Sequence, residues 1–147
     1  MKNIYSLKAI IAVLLLFVSI NQVYASATIK ISDGYIKASI PGSDVTAAYM
    51  KITNISDRTI TLEKITSAIS DQIEMHKHSM AGGMMRMRQV DNISVDANSS
   101  ITLQPSGLHL MIFSLKQQLS ENDNIMLTMH FSDKTKIDIQ LPVYRYK

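Results

Sequence analysis

The sequence predicts an all-β sandwich or barrel built as a single domain. Short runs rich in Ile, Val, Thr and Tyr alternate apolar and polar side chains with period two. Turn residues interrupt these runs about every ten residues, the rhythm of sandwiches and barrels. No stretch offers a long helical period, apart from a turn near 116–119. In chain order, 28–32 and 35–40 are rich in β-formers and are separated by Asp33-Gly34, and Pro41-Gly42-Ser43-Asp44 ends the second. A third run occupies 46–54, and 59–65 (TITLEKI) alternates strictly. Segment 72–78 places Ile73 and Met75 on one face and Glu74, His76 and His78 on the other. Segment 84–90 (MMRMRQV) alternates Met85 and Met87 against Arg86 and Arg88. Run 100–103 is short and stops before Pro105-Ser106-Gly107, and 108–115 (LHLMIFSL) is apolar enough to be a strand buried on both faces. Runs 125–131 and 135–143 form a closing hairpin through Ser132-Asp133-Lys134.

The first 27 of the 147 residues read as a signal peptide rather than as part of the fold. Lys2 and Lys8 precede the apolar run AIIAVLLLFVSI, and Ala25-Ser26-Ala27 suits cleavage after Ala27, with Val23-Tyr24-Ala25 as the other option. The run is shorter than the ~20 residues that span a bilayer, which argues against stable membrane insertion after cleavage. No Cys follows it to carry a bacterial lipid. The expected organisation is therefore a signal peptide over 1–27 and one domain over 28–147, located in the periplasm. Of the 15 Lys and Arg, all but Lys2 and Lys8 lie in the mature part, leaving 13 against 12 Asp and Glu. A near-neutral chain with interspersed charges carries no nucleic-acid footprint.

The chain has no Cys, 10 Met and 4 His. That excludes disulfides, thiolate nucleophiles, iron–sulfur clusters and the thiolate of a blue-copper centre. Segment 75–87 concentrates two His and five Met in thirteen residues. His76 and Met87 flank a glycine-containing loop and are expected to face each other across a hairpin. His109 and Met111 are i and i+2 on a strand and leave it from the same face. Two imidazoles and two thioethers make a soft to borderline donor set. Thioether sulfur selects Cu(I) and suits Mg²⁺, Ca²⁺ or Mn²⁺ poorly, and zinc sites use Cys, His and carboxylate.

His76, ten residues, Met87, twenty-one residues, His109, one residue, Met111: this spacing resembles the periplasmic copper chaperones called PCuAC (the DUF461 family). Given one His, the other three match by chance with a probability of roughly one in ten thousand from composition. Ala47-Ala48-Tyr49-Met50 through Asn54, Met84-Met85-Arg86-Met87-Arg88 and Pro105-Ser106-Gly107-Leu108-His109-Leu110-Met111 also look like the family, and the resemblance covers essentially the whole mature chain. It implies a cupredoxin-like β-sandwich binding one Cu(I) through His76, Met87, His109 and Met111. It also implies delivery of copper toward the binuclear copper centre of cytochrome c oxidase, the acceptor being an oxidase copper domain or another copper carrier. Some relatives carry a His- and Met-rich C-terminal tail, whereas this sequence closes on Tyr144-Arg145-Tyr146-Lys147.

The remaining soft side chains have plainer readings. Met50, Met75 and Met126 sit among apolar residues as core filler. Met80, Met84 and Met85 form either a soft rim for copper transfer or a cover for the sandwich end. His78 shares the face of His76 and is read as a solvated surface residue, with an alternate ligand role as the other option, and His130 is structural. Asp71 and Glu74 flank the cluster without a paired-carboxylate catalytic arrangement, and no hydrolase motif occurs, so an enzyme is not expected. A copper-sequestering resistance protein and a metal-free structural β-domain are the rival functions.

Overall fold

The computed structural model describes residues 28–145, so the expected signal peptide lies outside the described residues. Ten strands follow in chain order: β1 (Ile29–Lys37), β2 (Thr46–Asn54), β3 (Ile60–Thr66), β4 (Gln72–Ala81), β5 (Met84–Val90), β6 (Ile93–Val95), β7 (Ser99–Leu103), β8 (Leu108–Phe113), β9 (Asn124–Phe131) and β10 (Lys136–Tyr144). They hydrogen-bond in the order β5-β4-β8-β7-β2-β1-β10-β9-β3-β6, with β8 also pairing β2. The β1–β10 and β7–β8 pairs are parallel. The β1–β10 seam joins two layers that close over one core, giving the expected all-β sandwich. One layer turns Met50, Ile52, Leu110 and Ile112 inward, and the other Leu62, Leu127, Met129 and Phe131.

Period-two alternation explains who faces inward. On β8, Leu110 and Ile112 point into the core while His109, Met111 and Phe113 point away from it. Asn54 ends β2 wholly buried. Its Nδ2 donates to the carbonyls of Arg58, Val95 and Asp96 at 2.7–3.1 Å, and its Oδ1 accepts from Ser56 N–H and Oγ. A buried amide satisfied on both sides ties β2 to the loops around β6.

Some expectations are corrected. Asp33-Gly34 is a bulge inside one strand rather than a break between two, with the register shifting between Ser32 and Tyr35 and Asp33 at φ +54°. A Cβ on Gly34 would collide with the side chain of Leu141, which accounts for glycine there. Strand β6 was not foreseen, because three residues are too few for alternation to register. Met126 is 52% exposed: β9 alternates so that Ile125, Leu127 and Met129 fill the core, and Met129 is the filler instead. Met50 and Met75 are buried as expected. His130 sits on β9 with its Nε2 3.0 Å from Thr66 Oγ1, in the layer that does not carry β4, β5 and β8.

Candidate metal centre

β4 and β5 form a hairpin whose turn is Gly82-Gly83, both with positive φ (+60° and +77°). Two left-handed residues give the two-residue turn whose twist matches the strands. The turn sets Ala81 opposite Met84, and the register then runs Met80–Met85, His78–Met87 and His76–Gln89. On its other side β4 pairs with β8, placing His76 opposite His109 and Glu74 opposite Met111. Directly paired antiparallel residues share a face. Glu74, His76, His78, Met80, Met85, Met87, His109 and Met111 therefore all lie on the face that turns away from the core.

The expected pairing of His76 with Met87 is thus corrected. The two-residue turn makes His78 the direct partner of Met87, and His76 is one rung further along. His78, Met87, His109 and Met111 line one open cavity of about 270 Å³ with Ala47, Tyr49, Pro105 and Ser106, and His76 is not among its lining residues. Ala47 lies opposite Met111, and its small side chain leaves the thioether room.

The imidazoles are close. His109 lies 5.1 Å from His78 and 5.9 Å from His76, ring centre to ring centre. Tyr49 stands 6.4 Å from His109 and Phe113 stands 6.0 Å from His76, as aromatic walls. Although it faces outward, His109 is only 3% exposed. Burial holds its pKa below the usual histidine value, the Gly107 carbonyl pulls the other way, and the His78 and His76 rings lower it further. The His109 Nδ1–H donates to Gly107 O at 3.0 Å, which leaves the lone pair on Nε2. His76 Nε2–H donates to Glu74 Oε2 at 2.8 Å, which puts the His76 lone pair on Nδ1. Gln72 Nε2 holds the other Glu74 oxygen at 2.8 Å. That bond first, and His76 second, lower the Glu74 pKa and keep it a carboxylate.

Two polar atoms here are orphaned. Nδ1 of His76 and Nδ1 of His78 are buried without a hydrogen-bond partner among the described residues, a condition that native proteins rarely tolerate outside functional sites. Among the described residues, no three His, Cys, Asp or Glu side chains are placed to hold a metal ion. Met87 and Met111 add two thioethers to the imidazoles of this face, and thioether sulfur is a donor that favours soft ions. His78, read from the sequence chiefly as a surface residue, is the residue that the geometry promotes.

Comparison with known proteins gives the following. The family described as putative lipoprotein LpqE-like matches residues 29–143. A putative lipoprotein of Leifsonia xyli subsp. xyli is 28% identical over 116 residues, 78% of this chain and 69% of its own length. An uncharacterized protein of Rickettsia prowazekii is 26% identical over 98 residues, 66% of this chain and 54% of its own length. The copper-bound PCuAC domain from PmoF2 superposes with a TM-score of 0.69 at 22% identity, covering 82% of this chain and 95% of that domain, a likeness of fold. The solution structure of CuI-DR1885 from Deinococcus radiodurans superposes with a TM-score of 0.68 at 26% identity, covering 84% and 83%.

Proposed function

This chain belongs to the LpqE-like (PCuAC, DUF461) family, and on that premise we propose that it is an exported copper chaperone. It carries one Cu(I) on the outer face of β4, β5 and β8 and delivers it in the periplasm toward the copper centre of cytochrome c oxidase. The donors are Met87, His109, Met111 and an imidazole of β4, which the motif spacing nominates as His76. The observation that carries the proposal is the single cavity holding Met87, His109 and Met111 beside buried imidazole nitrogens that lack partners. The copper-bound state of the structural neighbours supports it. In this reading the Glu74 carboxylate, which accepts from His76 Nε2–H, orients that ring and fixes its tautomer for the ion. Thioethers do not titrate and stay available to a soft ion at any pH, and the burial of His109 keeps its ring neutral toward mildly acidic pH.

Two measurements test this. Competition against a chromophoric Cu(I) chelator reads stoichiometric binding, and the metal-free structural alternative predicts none. Mixing the loaded protein with an oxidase copper domain, followed by NMR, reads transfer; a sequestering protein retains its copper.

A further inference from the structure

We propose that His78 is a ligand to the copper ion in this protein, entering from the cavity side opposite Met87. This rests on the copper reading above and deepens it. Four observations converge on His78. The Gly82-Gly83 turn sets it directly across from Met87, where Cβ atoms of paired residues lie about 4.5–5.5 Å apart. Its ring is the nearer of the two β4 imidazoles to His109, at 5.1 Å against 5.9 Å. It lines the cavity that Met87, His109 and Met111 line, and His76 does not. Its Nδ1, like that of His76, is buried and unpartnered among the described residues, so a bound cation would satisfy an atom that the protein leaves bare.

The loop before β8 also ties the His78 backbone to the His109 ring. Gly107 O accepts from the His78 main-chain N–H at 3.2 Å and from His109 Nδ1–H at 3.0 Å. One carbonyl thereby positions the backbone of one donor and the tautomer of the other. His76 is differently held: its Nε2 is occupied by Glu74, which leaves only Nδ1 to offer. The face then carries five donors, His76, His78, Met87, His109 and Met111, one more than a four-coordinate ion takes. The surplus has a chemical use, because a carrier that can exchange one imidazole for another lets its ion go stepwise, without a bare intermediate.

The test is a Cu(I) competition titration of wild type, His78→Ala, His76→Ala, His109→Ala and Met111→Ala, under anaerobic reducing conditions. It is paired with long-range ¹H–¹⁵N spectra of the histidine rings in the unmodified protein before and after one equivalent of Cu(I). We expect His78→Ala to weaken binding at least tenfold and more than His76→Ala does. In the wild type, the ring nitrogens of His78 should shift on loading; this readout requires no variant to fold. Unmoved His78 ring nitrogens, together with wild-type affinity in His78→Ala while His109→Ala and Met111→Ala lose binding, would overturn the assignment of His78 alone. Wild-type affinity in His109→Ala and Met111→Ala as well, or no binding by the unmodified protein, would overturn the copper reading itself.

Discussion

Met111→Leu separates the metal from the fold. Met111 is half-buried on the outer face of β8, opposite Ala47. Leucine nearly conserves its volume, so the apo protein should lose less than about 1.5 kcal/mol. The soft donor is lost outright, because β8 presents no second thioether. We expect Cu(I) affinity to fall at least a hundredfold, about 2.7 kcal/mol at ~1.4 kcal/mol per decade. Thermal denaturation makes this visible. With free Cu(I) buffered near a thousand times the wild-type Kd, the ion stabilises the folded state by about 4.1 kcal/mol; at ten times the Kd of a hundredfold weaker variant it contributes ~1.4 kcal/mol. Unfolding about 120 residues at ~2.1 cal/mol/K each gives ~0.25 kcal/mol/K, so the copper-induced rise in Tm should shrink from about 16 °C to about 6 °C. Tm is read by circular dichroism with and without copper. An unchanged copper-induced rise in Met111→Leu, beside a near-native apo Tm, would refute Met111 as a ligand.

Burial lowers the His109 pKa, so the unfolded chain takes up a proton near pH 6.5 that the folded one resists. Apo stability is therefore full above about pH 6.5 and falls as the pH drops toward the folded pKa, and His109→Gln should flatten this part of the urea-unfolding profile. Protons also compete with the ion for imidazole, so Cu(I) affinity should decline as the solution is acidified; a flat profile down to about pH 4.5 would argue against histidine donors. Asn54→Ala strips partners from the carbonyls of Val95, Asp96 and Arg58 and should cost about 2–3 kcal/mol in urea denaturation, with Cu(I) affinity of the folded protein unchanged. Met80 and Met85 are a directly opposed pair one rung beyond His78 and Met87, whereas Met84 lies on the ribbon's other face. Converting Met80 and Met85 to Leu should slow copper transfer in stopped-flow mixing and leave equilibrium affinity in place, with Met84→Leu as the silent control.

The sequence made the strands legible because alternation and turn residues are local. Nine of the ten strands needed only a window of a few residues, and β6 was too short for one. Met126 was misplaced because a strand with apolar residues on both faces does not say which face is the core; its partners in the other layer decide. The donor strand β8 was readable outright, since i and i+2 share a face whatever the fold. The hairpin was readable in principle and misread in practice. A Gly82-Gly83 turn pairs residues symmetrically about itself, so counting outward from it reaches His78 against Met87. The motif spacing drew attention to His76 instead, because spacing records which residues recur and not which side chains meet. The orphaned Nδ1 atoms and the Glu74–His76 bond depend on side-chain placement in three dimensions and left no local signal.

The two halves of the proposed donor set differ in rigidity, and that difference would suit a carrier. His109 and Met111 stand on β8, which lies inside the sheet, paired with β4, β7 and β2 and anchored through Leu110 and Ile112 in the core. Their positions are set by the packing of the whole domain before any ion arrives. Met87 stands on β5, an edge strand that among the described residues pairs only with β4 and is exposed along nearly its full length, Met87 itself at 49%. Local opening costs least where few buried contacts must be broken, so β5 can yield while β8 stays in place. An ion held between them would keep two donors fixed and release through the third. With the core closed by apolar side chains from both layers and the proposed donors confined to the outer face, folding should not depend on the metal, and circular dichroism of the apo protein checks this. On the proposed function the apo protein would then be a preformed receiver, and loading or unloading would change the hairpin rather than the fold.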